Sequence, residues 1–546
     1  LKSEAAFERA VEDFTLGYAG EGASGKAAAP LRSGDDNTGH AASGEGQTST
    51  TEQDRFLVGE FPERVSVDEI RILNVFVSPH EGPHSGPLGV KVPEGGLNIE
   101  IFVDVDGFEL ASPARATLWV PEKGDSGIVG FKLKATEAET HTIHISALAN
   151  GATVAGLSFD VQVGGSVDVP PTPRSERSAM DTASSQDGDV SLILQQDPNT
   201  HKYTFTWQDN NGTRDPVYHD TPFQELNAFV AKKINEVQDV VREKYDLTPA
   251  LARKKLKDFG VFCWQQLVPQ QIRDWYIQDH DKIKRISVIS AGDPIPWEAL
   301  YPFRPNPKFD EGFLIEQVKI CRWRFGPLAP GAISICRADF VFPNDALEGA
   351  ATEVDQVIDL LQHCYALKGE RIANQDLLFD LFDTASASLL HFACHNSFEK
   401  GGLIAVAPSS IKPDDFIQYE GQLKASAPLI FVNACRTDGK EAQYTGLGGW
   451  AKAFLSVGAG AFIGTHWEVR DKSAQCFAET LYRALVEERK CFGDALDCAR
   501  DAIKKPGDPT WLAYTFYGNH RALVKKSASP AKATVKPEST SDSTSS

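Results

Sequence analysis

The chain has 546 residues, of which 41% are hydrophobic, and its formal net charge is −20 at pH 7. One hydrophobic core rarely organises so long a chain, so we expect about three domains. The negative charge argues against general binding to nucleic-acid phosphates, which needs clustered Lys and Arg. No run of about 18 apolar residues occurs, so the sequence predicts no membrane span.

Changes of composition along the chain predict its domain organisation. Residues 19–55 are rich in Gly, Ala, Ser, Thr and charge, and such a composition cannot bury enough apolar surface to fold. The predicted segments, in chain order, are a disordered N-terminal segment with a short helix over residues 2–18 (1–55), a β-sandwich domain (56–164), a flexible linker (165–189), a hairpin with a helical region (190–285), an α/β domain (286–524) and a disordered tail (525–546).

Residues 56–164 carry short runs of alternating apolar and polar residues, such as LNIEIFVDV and ARATLWV, separated by Gly, Pro, Asn and Asp. A period of two residues at this spacing predicts a small β-sandwich. The segment shows no catalytic constellation, so we expect it to bind a regulatory partner protein or to serve as structure. Two basic residues of the linker, Arg174 and Arg177, suit proteolysis in an exposed stretch. Self-cleavage that frees the C-terminal part and an ordinary spacer both remain open.

The region after the linker begins with SLILQQ and KYTFTW, which predict a hairpin around DPNTH. Amphipathic patterns then predict one helix over residues 223–245 and another over 250–276. From residue 286 onward, apolar strands alternate with helical patterns. The predicted elements include a strand over AISICRADFVF, a helix over residues 351–365, and buried strands over 388–394 and 428–434. This alternation predicts an α/β domain with a central, mostly parallel sheet.

Two apolar runs in this domain end at reactive side chains. LLHFACHN leads to His395, and LIFVNACRT leads to Cys435. Ligands of open α/β sheets bind beyond the carboxyl ends of the strands, where both residues are expected. A free thiol has a pKa of about 8.5 and needs a nearby imidazole to react near neutral pH. The backbone amides of Asn396 and Cys435 follow these strands and are candidate oxyanion donors.

Five segments occur in the order seen in one protein family. They are HFACH, FVNACRT, GGWAKAFLSVGA, FIGTHWEV and WLAYTFYGN, and SAGDPIPWEAL precedes them. Together they resemble the CHAT family, caspase-like cysteine peptidases related to separase and the caspases. The resemblance covers residues 287–524 and implies a caspase-like fold that needs no cofactor.

The resemblance also implies the roles of the candidate residues. His395 is the second histidine of the HxxxH run and corresponds to the general base and acid, and Cys435 corresponds to the nucleophile. The implied substrate is a partner protein, and many members of the family act in bacterial defence or programmed death. The family usually carries Gly where this chain has Asn396. That departure keeps open the alternative of a non-catalytic, partner-binding scaffold.

Four side chains are candidates for binding the residue that precedes the cleaved bond (P1): Asn433, Glu468, Asp471 and Asp293. Acidic residues here would favour Arg or Lys at P1, which we expect, while a neutral P1 residue stays open. We interpret His391 and Cys394 as packing residues within a strand. His466, at the end of the next strand, is interpreted as a pocket wall or a sheet-end residue.

We expect no metal site. A zinc site built from His363, Cys364, Cys394 and His395 would fit no common ligand spacing. The nine cysteines include no CxxC pair, and none lies before Cys263. This pattern does not resemble a disulfide framework and predicts a reducing, cytoplasmic location.

Overall fold

The computed structural model describes residues 54–527 apart from several gaps. The gaps are residues 83, 165–174, 178–185, 197–201, 223–227, 231, 235, 238–247, 343–347, 394–397, 400–402, 407–408, 434–446, 468 and 506. The short helix expected over residues 2–18 therefore lies outside the described residues. No helix in the described part of the chain combines the length and apolar character needed to cross a membrane.

The N-terminal part of the described chain is rich in strands, as predicted. Its strands are β1 (Phe56–Glu60), β2 (Arg64–Val65), β3 (Ile70–Ser78), β4 (Ser85–Pro87), β5 (Leu97–Val105), β6 (Phe108–Leu110), β7 (Arg115–Val120), β8 (Val129–Ala135), β9 (Thr140–Ala149), β10 (Ala152–Val163) and β11 (Ser175–Arg177). We call residues 54–164, together with β11, the β-domain. Strand β11 belongs to the segment predicted as a linker and pairs antiparallel with β10.

The β-domain contains two sheets, ordered β4-β1-β3-β8-β6 and β11-β10-β9-β5-β7, with β2 beside β10. Neighbouring strands within each order run antiparallel. Side chains from both sheets form one buried cluster, which includes Leu73 and Val75 of one sheet and Ile101 and Ile145 of the other. The alternation seen in the sequence therefore places every second side chain in this shared core.

The C-terminal part combines strands with helices. Its strands are β12 (Asp189–Gln196), β13 (Lys202–Asp209), β14 (Gly212–Thr213), β15 (Val217–Pro222), β16 (Arg285–Ser290), β17 (Phe303–Arg304), β18 (Phe309–Asp310), β19 (Lys319–Trp323), β20 (Ala332–Ile335), β21 (Ala338–Val341), β22 (Gly369–Ile372), β23 (Leu389–Phe392), β24 (Phe398–Glu399), β25 (Leu403–Val406), β26 (Ser409–Ile411), β27 (Leu429–Val432), β28 (Ala461–Thr465), β29 (Tyr514–Tyr517) and β30 (Leu523–Lys526).

The helices of the same part follow in chain order. They are α1 (Pro249–Leu267), α2 (Gln270–Asp279), α3 (Leu314–Gln317), α4 (Glu348–Tyr365), α5 (Gln375–Asp383), α6 (Leu447–Val457), α7 (Asp471–Tyr482), α8 (Phe492–Ile503) and α9 (Thr510–Ala513), with 3-10 turns at Trp297–Ala299 and Pro413–Tyr419 and a π-helical turn at Arg483–Glu487. Helical residues also occur within 228–237.

A mixed sheet organises this part, with strand order β14-β13-β12-β16-β19-β29-β28-β27-β23-β21-β22 and β15 beside β13. From β12 to β22 the neighbouring strands run parallel except for β28 and β29, which are antiparallel. Alternate residues of β23 enter different cores: Leu389 packs in the cluster with α4 and α7, and Leu390 packs in the cluster with α5 and α6. The sheet is therefore covered on both faces where β23 and β27 end.

Candidate active site

Strands β23 and β27 are parallel neighbours, and both are completely buried. Their register pairs Leu389 with Leu429 and Phe392 with Val432. Beyond the last pair, the backbone N–H of Asn433 donates to the carbonyl of Phe392 at 3.0 Å. The two strands therefore end side by side at the same edge of the sheet. The candidate residues His395, Asn396 and Cys435 lie outside the described residues, shortly after these ends.

A buried polar network lies directly beneath the two strand ends. The Nε2 of His391 is 2.7 Å from the Glu353 Oε1, and its Nδ1 is 2.9 Å from the Tyr482 hydroxyl. Asn433 donates from Nδ2 to the same Glu353 oxygen at 2.8 Å, and its Oδ1 accepts from the Tyr514 hydroxyl at 3.0 Å. Helix α4, both strands, helix α7 and strand β29 are thereby joined through side chains.

Burial makes this network costly to disturb. His391, Glu353 and Asn433 are 0% exposed, and a buried charge or amide needs hydrogen-bond partners to offset lost hydration. Burial, with the nearby Glu353 carboxylate, raises the pKa of Tyr482 well above its usual range. Tyr482 therefore keeps its proton and can donate to the imidazole of His391. The other ring nitrogen, Nε2, faces Glu353, so both nitrogens of His391 have a hydrogen-bond partner.

A second buried network lies at the end of β28. The Nη2 of Arg322 is 2.8 Å from the Glu298 Oε2, and the Nε2 of His466 is 2.9 Å from the same oxygen. The Thr515 hydroxyl accepts from the Arg322 Nε at 2.9 Å and donates to the Glu298 Oε1 at 2.8 Å. Arg322 also pairs with Asp293, with 3.4 Å between Nη1 and Oδ2.

The charges of this second network support one another. Burial alone would raise the pKa of Glu298, but the Arg322 guanidinium and His466 hold that pKa well below its usual range. In turn, Glu298 and Asp293 outweigh the effect of burial on Arg322 and raise its pKa. Glu298 and Arg322 therefore stay ionised. With side chains 0% and 2% exposed, they form a buried ion pair whose separate removal is costly.

The structure places the P1 candidates differently from one another. Asn433 is 0% exposed and its amide is engaged within the protein. The Asp293 carboxylate is 2% exposed and accepts from Ser290, Ile295 and Trp297 besides pairing with Arg322. Asp471 is partly exposed in the first turn of α7, and Glu468 lies outside the described residues. Whether these four residues contact a substrate stays a prediction.

Sequence reasoning missed Glu353, although the pattern contains a signal. The buried residues Ala350, Val354, Val357 and Leu361 mark one face of α4. Glu353 stands on that face, three residues after Ala350 and four before Val357. A carboxylate within such an apolar stripe needs a buried partner, which the mid-strand histidine of LLHF supplies.

The described cysteines are all free thiols: Cys263, Cys321, Cys336, Cys364, Cys476, Cys491 and Cys498. Within the described residues, no group of three or more His, Cys, Asp or Glu side chains is arranged to hold a metal ion. Of the residues considered for zinc, Cys394 and His395 lie outside those described.

Comparison with known structures returns several similarities at low identity. The Arg-specific cysteine proteinase gingipain R is 14% identical over 55% of this chain and 76% of its own, with a TM-score of 0.32. Separase in the Saccharomyces cerevisiae separase–securin complex is 12% identical over 62% of this chain and 30% of its own, with a TM-score of 0.40. A CARDB domain from Pyrococcus furiosus is 16% identical over 22% of this chain and 95% of its own, with a TM-score of 0.15.

All three TM-scores are below 0.5. No curated protein matches the chain by sequence. The family model of the CHAT domain matches residues 262–519. That range contains the paired ends of β23 and β27, both buried networks and the motifs that carry the resemblance. Residues 262–519 of this chain are therefore similar to the CHAT family, and we call them the CHAT domain.

Proposed function

We propose that this chain is a cysteine endopeptidase that hydrolyses peptide bonds of a partner protein, with Cys435 as nucleophile and His395 as general base and acid. One observation carries the proposal: the register of β23 and β27 within the CHAT domain. Each candidate lies three residues beyond the last residue of its strand, so the two start from paired positions. Neighbouring strands are about 4.8 Å apart, which is within reach of a thiol–imidazole pair.

The proposed chemistry follows from these two groups. His395 takes the proton of Cys435, and the thiolate attacks the substrate carbonyl carbon to form a C–S bond. The backbone amides of Asn396 and Cys435 donate to the oxyanion that develops. The C–N bond then breaks as His395 gives its proton to the leaving amine. Water, deprotonated by His395, cleaves the resulting thioester, and the proton returns to the sulfur as the new carboxylic acid leaves.

Arg or Lys remains our expectation at P1, with a neutral residue as the alternative. Since Asp293 is already paired with Arg322 and the amide of Asn433 is engaged inside the protein, such a preference would depend on Glu468 and Asp471. The family resemblance adds an expected role in bacterial defence or programmed death, with the β-domain binding a regulatory partner.

The test is turnover of a pooled fluorogenic peptide library by the wild-type chain, Cys435→Ala and Cys336→Ala. Cys336 is a partly exposed free thiol in the same part of the chain and provides the matched control. We expect cleavage by wild type and Cys336→Ala, and loss of cleavage in Cys435→Ala. Equal cleavage by wild type and Cys435→Ala would overturn the proposal, and the preferred P1 residue would decide between basic and neutral specificity.

A further inference from the structure

The β-domain covers part of one face of the large mixed sheet. In β12 and β16, Leu192, Leu194 and Val288 point into the main core, whereas Ile193 and Ile289 point to the opposite face. There they form a separate buried cluster with Phe102 and Leu148 of the β-domain and with Phe325, which follows β19. All five members of this second cluster are at most 3% exposed.

Hydrogen bonds cross the same boundary. They join backbone groups on one side to side chains on the other, so each partner is satisfied across the boundary. The pairs are Gly326 N to Ser146 Oγ (2.9 Å), Ser191 Oγ to the carbonyl of Gly151 (2.9 Å), and Gln195 Nε2 to the carbonyl of Val103 (3.1 Å). The contact thus combines buried apolar side chains with hydrogen bonds between the two parts, as stable interfaces do.

The two parts approach closely at a pair of glycines, Gly156 and Gly326. A Cβ built on Gly156 of β10 would lie 1.8 Å from the carbonyl oxygen of Gly326, and its three nearest atoms all belong to Gly326 and Pro327. Gly156 therefore has no room for a side chain on the side that faces the CHAT domain. Its substitution would disturb the boundary between the parts and leave the inner packing of the β-domain untouched.

The β-domain also lies beside the helix that follows the nucleophile segment. Ile289 pairs with Trp323 in the sheet, and Trp323 packs against the core under α6, so the β-domain and α6 cover the same face. Desolvation and Asp106 raise the pKa of Asp104 in β5 to about 6, and the charge of Lys452 in α6 opposes this. Helix α6 begins after residues 434–446, which contain Cys435.

We infer that the β-domain is a fixed covering layer of the CHAT sheet and stays bound when the connecting chain between residues 178 and 185 is cut. Separation of the β-domain would expose the apolar side chains of Ile193 on β12 and Ile289 on β16 to water, and the cost of that exposure holds the fragments together. Cleavage of the connecting segment therefore yields a two-fragment assembly instead of a free CHAT domain. A partner captured by the β-domain would act on the intact assembly, next to α6.

The test uses the full chain with a recognition sequence for an unrelated, site-specific protease inserted between residues 178 and 185. The Cys435→Ala background prevents self-cleavage, so the result does not depend on the proposed activity. After complete cleavage, size-exclusion chromatography under native conditions should show both fragments in one peak at the elution volume of the uncut chain. Separate elution, or precipitation of either fragment on cleavage, would overturn the inference.

A pair of glycine substitutions locates the interface. Gly156→Ala should weaken the association of the cut fragments at least about tenfold, because its methyl group meets a backbone carbonyl that cannot turn aside. Gly127→Ala is the matched control in the same domain, since nothing lies within 4 Å of its Cβ position. Fragment dissociation constants from fluorescence anisotropy would measure the effect. Equal affinities for the two variants would overturn the assigned interface.

Discussion

Substitution of Asn433 by Asp distinguishes between two alternative roles of this residue, substrate binding and support of the buried network. If Asn433 lines a substrate pocket, an acid there creates a preference for Arg or Lys at P1. In the structure, its Nδ2 instead lies 2.8 Å from the Glu353 carboxylate, and the side chain is completely buried. We therefore expect Asn433→Asp to destabilise the CHAT domain without creating a basic P1 preference.

The magnitude follows from the two carboxylates that the substitution brings together. At 2.8 Å and an effective dielectric constant of about 20, two negative charges repel by about 6 kcal/mol. Keeping one carboxyl with an ordinary pKa of about 3.9 protonated costs about 4 kcal/mol at pH 7, so protonation is the cheaper response. The folded-state pKa is thus raised, and the penalty grows with pH above about 4. It falls to about 2 kcal/mol at pH 5.5.

Thermal denaturation at pH 5.5 and 7.0 measures this penalty. For a domain of this size, about 4 kcal/mol corresponds to a decrease in Tm of roughly 8–16 °C. Asn374→Asp is the matched control, because Asn374 caps α5 by accepting from the Leu377 backbone N–H and an acid serves equally there. Adding Glu353→Gln to Asn433→Asp should restore stability. Equal Tm values for Asn433→Asp and Asn374→Asp at pH 7, or a new basic P1 preference, would refute the reasoning.

Two further predictions concern buried charge. Arg322→Met leaves Glu298 buried without its cation and should lower the free energy of unfolding by about 3–5 kcal/mol. Arg371→Met, which removes a surface ion pair, should lower it by under about 1 kcal/mol. Equal losses in thermal denaturation would contradict the buried ion pair. At pH values above 6, Asp104→Asn should increase the free energy of unfolding by up to about 3 kcal/mol and so raise Tm. The reason is that the folded-state pKa of Asp104, about 6, exceeds its unfolded value near 3.9, so the charged form is disfavoured in the folded state. The gain should vanish below pH 4. It should be smaller in Asp106→Asn, which removes only the repulsion between the two carboxylates and leaves Asp104 desolvated. A gain that is independent of pH would rule out desolvated charge as its cause.

Local pattern was sufficient to predict the elements around the candidate site. The buried strands expected over residues 388–394 and 428–434 are confirmed as β23 and β27, and the helix expected over 351–365 is confirmed as α4. Each is an apolar run or a helical stripe bounded by polar residues, so burial and local periodicity agree. His395 and Cys435 follow the ends of these two strands in the sequence, and their catalytic roles stay a prediction.

One predicted helix and one predicted strand are each divided in the structure, because the backbone hydrogen bonds of a continuous element are interrupted. The helix expected over 250–276 is two helices, α1 and α2, because Pro269 lacks the N–H that a continuous helix requires. The strand expected over AISICRADFVF is two strands in different sheets. Between them, the N–H groups of Cys336 and Arg337 donate to the Ser388 hydroxyl instead of to a strand.

Contacts between distant segments could not be predicted from local pattern. Strand β29 inserts antiparallel beside β28, and its Tyr514 and Thr515 complete both buried networks. The order of strands in a sheet depends on which of many possible strand pairs form. The hydrophobic pattern of a single strand does not identify its neighbours. Similarly, Ile193 and Ile289 read as ordinary strand residues, and only the three-dimensional structure shows that the β-domain covers them.

The central claim is that the paired ends of β23 and β27 present His395 and Cys435 as a catalytic dyad. The most direct measurement is the rate of iodoacetamide alkylation at each cysteine, followed by mass spectrometry from pH 5 to 9. Burial raises the pKa of Cys321 to about 11, so that thiol should stay unreactive in this range, and Cys336 supplies a partly exposed reference.

We predict that Cys435 reacts faster than Cys336 and with an apparent pKa below about 8.5, because the imidazole of His395 takes its proton. In His395→Ala, the profile of Cys435 should move to higher pH while that of Cys336 stays unchanged. Alkylation of Cys435 at the rate of Cys336, or a Cys435 profile that is the same with and without His395, would contradict the account.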